Sequence, residues 1–207
     1  MAFVVAIDGP AGTGKGTVAK ILAKELNFTY IDTGAMYRAV SIEVLNNRLD
    51  LENIFIELED KKVYLNKEDV TEKIRSKEIT NIVSQVSENK EIRKKLVDMQ
   101  RKMAEDKNVI MEGRDIGTVV FPNANVKIYL DAKQEERARR RYIENVAKGI
   151  NTTYEEVLEH FKFRDKNDME KEIGALKQAE DAIYIDTTEL SIEAVVNKIK
   201  NIIEEKS

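Results

Sequence analysis

The sequence predicts an α/β protein built on a doubly wound parallel sheet of about five strands, interrupted by one inserted subdomain and one short lid-like connection. Three observations carry that expectation. Short apolar, β-branched runs recur along the chain and each is followed by a helical repeat. A glycine-rich segment joins the first run to the first repeat. No internal repeat and no Pro/Gly/Ser-rich linker divides the 207 residues, a length that one domain with an insertion fills.

The elements follow in order. AFVVAI, at 2–7, is closed by Gly9 and Pro10 and fits a buried parallel strand. Val18, Ile21, Leu22 and Leu26 then repeat at three and four residues, the spacing of a helix with one buried face. A second strand around 28–31 ends in DTGAMYR, from which a helix runs to about Asn46. Residues 50–80 change character, with two short β-like runs about a charged turn in IFIELEDKKVYLN and then polar helical sequence. That stretch reads as an insertion. A helix from Glu91 to about Asp106 leads into NVIMEGRDIG, another buried strand ending in glycine and charges. VKIYLDA and AIYID supply the last two strands. In such sheets ligands bind at the carboxyl ends of the strands.

Composition narrows the chemistry. Charged residues are 35% of the chain, yet the net charge is only −4, so no overall basic field points to nucleic acid or to an anionic membrane. With no cysteine there is no disulfide, thiolate metal site or thiol nucleophile. His160 is the single histidine, which excludes catalytic triads and histidine metal clusters, and it reads as an ordinary helical residue. The N-terminal run lacks a basic flank and is too short for a signal peptide or a membrane span, so a cytoplasmic protein is expected.

GPAGTGKGT, at 9–17, nearly matches the phosphate-cradling pattern G-x-x-x-x-G-K-[ST]. Gly9, Pro10, Ala11, Gly12, Thr13, Gly14, Lys15, Gly16 and Thr17 are therefore the candidate ATP loop. The glycines let the backbone close on a polyphosphate and Lys15 adds a point charge. An ordinary glycine-rich turn would need neither this spacing nor the lysine. Gly16 stands where the pattern asks for the hydroxyl that usually binds Mg2+, and Thr17 lies one place further on. This GKGT variant resembles the loop of nucleoside monophosphate kinases, which implies Mg2+ held mainly by phosphates and water, with no metal ligand set of its own. Asp8 and Asp32 end strands near the phosphates; either could orient magnesium waters, and a cap or turn contact is the plainer role, for Asp8 especially.

The remaining charge pattern suits a phosphate acceptor. A monophosphate has a second pKa of about 6 and is already nucleophilic at neutral pH, so cations, not a general base, are what its transfer needs. Arg38, Arg114 and Arg164 are read at strand ends; each alone reads as a surface cation. Arg137, Arg140 and Arg141 in ERARRRY share a helix face and form a candidate catalytic clamp with Lys15, pairing with Glu136 and Glu144 being the alternative. Gly149 ends that helix, and Thr153 with Glu156 has the spacing of a capping box, so a mobile lid is expected between them.

Taken together, GPAGTGKGT, DTGAMYR, SQVS, EGRDIGTVVFPNA, KIYLDA, ERARRRY and RDKND resemble, in order and spacing, the bacterial cytidylate kinases. The resemblance spans nearly the whole chain. It implies a single P-loop kinase domain over 1–207, a monophosphate-binding insertion over about 34–96 and a lid over about 146–160. It implies MgATP-dependent phosphorylation of CMP and dCMP by a monomer. It assigns the acceptor phosphate to Arg38, Arg114 and Arg164, the base to Ser84, Arg93 and Asp115, and the ribose to Asp168 and Lys171, with Thr33, Tyr37 and Gly113 completing the CMP site. Core packing is an equal reading of Tyr37. Cytosine's amine donates, as Asp115 requires, while O2 and N3 accept from Arg93 and Ser84; uracil reverses part of that pattern. The chain departs from the family in having Lys171 for arginine and Gly174-Ala175-Leu176 for the usual Ala-Pro-Leu. The residues also admit a kinase for AMP or shikimate, and a nucleotide-dependent switch.

Overall fold

The computed structural model describes residues 2–59 and 62–206. In chain order, β1 (Val4–Asp8) leads through the glycine loop to α1 (Lys15–Leu26), and β2 (Thr29–Asp32) leads directly to α2 (Thr33–Leu45). The next segment carries β3 (Ile56–Glu59), β4 (Lys62–Leu65) and β5 (Glu68–Asp69), then α3 (Lys77–Val86) and α4 (Lys90–Met103). The chain finishes with β6 (Val109–Gly113), β7 (Val126–Asp131), α5 (Gln134–Ala147), α6 (Tyr154–Glu170), β8 (Ile183–Asp186) and α7 (Ile192–Glu205).

The main sheet has five strands in the order β2-β6-β1-β7-β8, all parallel. Every residue of β1 is buried, because β1 lies between β6 and β7 and helices cover both faces. Its side chains alternate accordingly. Val5 and Ile7 join the core under α1 and α7, whereas Val4 and Ala6 join the core under α2 and α4. From β1 the chain crosses first toward β2, and after β6 it crosses to β7 on the other side. β1 therefore stands where successive crossovers diverge, the position at which open α/β sheets bind ligands. The register brings Asp8 level with Gly113 and Tyr129, and Asp32 level with Glu112, so the strand ends form one edge.

β3, β4 and β5 form a small antiparallel sheet packed against α2, one strand more than the two β-like runs in the sequence indicate. Two other features differ from the sequence expectation. The helix expected to reach Asp106 ends at Met103, and Asp106 adopts a left-handed φ of 59°. The sequence predicts no element directly after β6, whereas 116–120 form a π-helical turn, a geometry with no periodicity signature in so short a run. No helix among the described residues is long and apolar enough to cross a membrane.

Candidate active site

β1 delivers the chain into the glycine loop, where Gly12 and Gly14 take left-handed φ values of 79° and 89° and Gly14 becomes the N-cap of α1. Gly14 offers no side-chain acceptor, so the first N–H groups of α1 remain available to an anion. Lys15, the first helical residue, is buried, and its Nζ donates to Pro10 O at 2.6 Å and lies 3.4 Å from Thr13 Oγ1. The ammonium is thereby folded over the loop. Burial, followed by the like charges of Arg114 and Arg164, lowers its pKa to about 7, against the pull of Glu112 and Asp8.

This has a measurable consequence. At about pH 8 the lowered pKa leaves much of the Lys15 amine neutral, and a polyphosphate beside it favours the charged form. ATP binding should then take up part of a proton at about pH 8, and the uptake should fall as the pH drops below about 7, where the amine is already charged. Calorimetry in buffers of different ionisation enthalpy reads this uptake directly. Uptake that is absent throughout, or that persists in Lys15→Met, would refute it.

The cations converge from four separate elements. Arg38 on α2, Arg114 after β6, Arg141 on α5 and Arg164 on α6 lie close enough that Arg114 and Arg141 depress Arg38 and Arg164, while Arg114 is raised, its burial outweighed by Asp168 and Glu112. Burial, then Arg114, Arg38 and Arg141, bring Arg164 down to about 9 against Asp168. Burial, and then Arg114, Arg141 and Arg75, lower Arg38 against the pull of Asp32. Arg38 is steadied by hydrogen bonds to Thr80 Oγ1 at 3.0 Å and Ile74 O at 3.3 Å. Arg38, Arg114 and Arg164 are part-buried and Arg141 is exposed at their edge, and part-buried like charges so close are unfavourable unless an anion faces them. His160 is an exposed residue of α6, as its reading as an ordinary helical residue expects, and partial burial and then Arg164, Arg141 and Arg38 lower its pKa.

The three arginines of ERARRRY have different partners. Arg141 is the one that faces this cluster, and it also stands 3.4 Å from Glu144. Arg137 is buried in a bidentate pair with Asp165 at 3.1 and 2.7 Å, and donates to Ala132 O and Ala11 O. It ties α5 and α6 to the shoulder of the loop. Arg140 bonds Glu136 at 3.0 Å and the carbonyls of Thr187 and Thr188 at 2.7 and 3.1 Å, beyond β8. At the lid, Thr153 and Glu156 form a complete capping box and Gly149 takes a φ of 69°.

At the other end of the edge, Arg93 Nη2 is ion-paired with Asp115, and its Nη1 donates to Ser87 O at 3.2 Å. Its guanidinium lies 5.6 Å from the ring centroid of Tyr37, which is itself a member of the core, so Tyr37 both packs and supports. Burial raises the Asp115 pKa, opposed by Arg93, Lys171 and Arg114. The Ser84 hydroxyl is buried with no hydrogen-bond partner among the described residues, a costly condition unless something else supplies one. Asp168 accepts from Arg114 Nε at 2.8 Å and from Lys171 Nζ at 3.2 Å. Burial alone would raise its pKa, but Arg114, Arg164 and Lys171 outweigh that and hold it at about 2. Thr33 Oγ1 donates to Glu112 O at 2.7 Å, beside Gly113, and Arg114 Nη1 donates to the Gly113 carbonyl.

The carboxylates between the two ends explain the missing hydroxyl. A Cβ at Gly16 would stand 2.6 Å from Glu112 Oε1, so the space that a serine or threonine would use is already taken by a carboxylate. Glu112 accepts from Tyr30 at 2.7 Å; burial and then Asp32 raise its pKa, against Lys15. Sequence reasoning passed over Glu112, although a carboxylate one residue before Gly113 at a strand end was a usable signal. Asp32 caps α2 through Ala35 N at 2.9 Å. Asp8 accepts from Ile116 N at 2.8 Å and Gly117 N at 2.7 Å, the turn contact favoured for it, and burial raises it to about 6 despite those bonds. Among the described residues no three of His, Cys, Asp and Glu are grouped to ligate a metal.

Comparison with known proteins gives a consistent result. The sequence profile of a family described as cytidylate kinase matches residues 5–205. A cytidylate kinase of Fusobacterium nucleatum is 51% identical, covering 98% of this chain and 97% of its own. One of Carboxydothermus hydrogenoformans is 51% identical over 98% of both chains. Among solved structures, a shikimate kinase from Bacteroides thetaiotaomicron matches with a TM-score of 0.54 over 98% of both chains, at 16% identity, a likeness of fold alone.

Proposed function

Because the chain belongs to the cytidylate kinase family, we propose that it moves the γ-phosphoryl group of MgATP to CMP, and to dCMP, giving CDP or dCDP and ADP. The observation that carries the reading is the convergence of Lys15 over the glycine loop with Arg38, Arg114, Arg141 and Arg164 from four other elements, a cation cluster suited to two anionic nucleotides. The residues 9–17 would cradle the donor phosphates, with Lys15 and Arg141 on the group in flight and Arg38, Arg114 and Arg164 on the acceptor. Arg137 and Arg140 act on the donor side through the loop shoulder and the segment after β8 that they bind.

No general base is required, because the acceptor is a dianion whose oxygen attacks in line. Transfer from ATP to a dianion balances without a proton, and the Lys15 ammonium, favoured when phosphates are bound, offsets charge on the group in flight. Magnesium fits this chain as an ion that arrives on its nucleotide: Glu112, with Asp32 level with it, would hold its water molecules in the place where other loops use a hydroxyl. There the ion would supply charge neutralisation between the two phosphate chains.

Ser84, Arg93 and Asp115 would read cytosine, and the orphaned Ser84 hydroxyl is the strongest support, since a base acceptor removes its burial cost. Asp168 would hold the ribose. We place the monophosphate-binding insertion at about 34–96 and the lid at about 146–160 in one P-loop kinase domain, acting as a cytoplasmic monomer with no nucleic-acid or membrane partner.

Acceptor profiling with CMP, dCMP, UMP, AMP and GMP tests this. CMP should exceed UMP in kcat/KM by about a hundredfold or more, the scale of a buried donor–acceptor mismatch. Equal use of AMP, or ATP hydrolysis indifferent to every monophosphate, would replace the proposal with a different acceptor or a switch.

A further inference from the structure

Two of the positions at which the sequence departs from the family pattern, Lys171 and Gly174, meet on the Ser87–Arg93 pair. Lys171 Nζ donates to Ser87 Oγ at 2.7 Å as well as to Asp168. Ser87 in turn serves the base end twice: its Oγ donates to Ser84 O at 2.7 Å, and its carbonyl accepts from Arg93 Nη1. Three residues further on, Gly174 takes a φ of 66°, and a Cβ built there would overlap the guanidinium carbon of Arg93. The segment is closed on itself by Leu176 N bonding Asp168 O at 2.6 Å, with the Leu176 side chain buried.

We propose that 171–176 form a strap that positions Arg93 for base recognition, anchored by Lys171 on Ser87 and seated on the guanidinium at Gly174, so that Lys171 is a positioning residue for the base and not a ribose ligand. The inference rests on the reading that Arg93 and Asp115 contact cytosine. Its physical basis is that the Lys171 side chain is buried with two of its three N–H donors held by Ser87 and Asp168, which fixes the ammonium against the residue that supports Arg93. Arginine's guanidinium has flexible freedom at its end, and without a wall it can rotate away from Asp115. A glycine lets the backbone serve as that wall where any side chain would displace it.

The test is steady-state kinetics with CMP, dCMP and UMP for the native chain, Lys171→Met, Ser87→Ala, Gly174→Ala and Asp115→Ala. Ser87→Ala removes only an oxygen and guards against a strap variant that fails to fold. The strap variants should raise KM for CMP and dCMP together by about tenfold, leave UMP nearly unchanged, and change kcat by less than about threefold. The preference for CMP over UMP then falls while the CMP to dCMP ratio stays constant. If Lys171→Met alters CMP but not dCMP, lysine binds the ribose and the inference is overturned. If all three acceptors weaken alike, the strap is merely structural and the inference is again overturned. Should Asp115→Ala retain full preference for CMP over UMP, the reading of the base site itself fails, whatever the strap variants do.

Discussion

Arg114→Ala should lower kcat by about a hundredfold or more while ATP affinity stays within a few fold, the pattern of a group that acts on charge in the transition state. Arg114 is the hub of the cation cluster: it contributes to the perturbation of Lys15, Arg38 and Arg164, and its Nε bonds Asp168 at 2.8 Å. It therefore links the phosphate end to the ribose end, and removing it leaves the Asp168 carboxylate with Lys171 and the more distant Arg164. Asp168 should then lose part of what holds its pKa at about 2. Arg114→Lys separates charge from geometry, because lysine restores the charge without the fork that spans Asp168 and a phosphate. Partial recovery of kcat in that variant is expected. The measurement is kcat against ATP dissociation by fluorescence titration or calorimetry. Loss of ATP binding with turnover preserved would move Arg114 to the donor side and break the assignment.

Gly16→Ser, which completes the usual phosphate-loop pattern, should inactivate the protein in place of improving it, with kcat/KM down by about a hundredfold. The added Cβ would lie 2.6 Å from Glu112 Oε1, and Glu112 is held there by Tyr30, so the carboxylate or the loop must shift. A displacement of that size matters because the phosphates must stay in line. Gly16→Ser combined with Glu112→Ala relieves the overlap and distinguishes the two causes. If steric contact is all that matters, the double variant recovers most of the activity; if the carboxylate also holds magnesium waters, it does not. Full activity of the single variant would show that Glu112 has no fixed place beside the loop.

Much of this site is legible along the chain because its signals are local. The glycine spacing at 9–17 specifies a phosphate loop by backbone geometry alone, and apolar runs alternating with helical repeats specify a doubly wound sheet. The capping box at Thr153 and Glu156 is written in two residues three apart, and it forms. The arrangement of Asp8 as a turn contact follows from its position at the end of a buried strand, although the π-helical turn it caps has no local signature.

What the chain does not spell out is which charge meets which. Helical spacing puts Arg137, Arg140 and Arg141 on one side of α5, but says nothing of what stands opposite. Arg137 is claimed by Asp165, 28 residues away, and Arg140 by carbonyls beyond β8, while Arg141 alone turns to the other cations. Lys171 finds Ser87 across 84 residues. Glu112 and Gly16 become neighbours through the packing of β6 against β1 and α1. Periodicity and spacing act over one or two turns of chain, whereas a buried ion pair depends on distance and desolvation between elements that only the folded sheet brings together. The amino-acid order is thus enough for the scaffold and the phosphate loop, and the assembled sheet edge assigns each cation its partner.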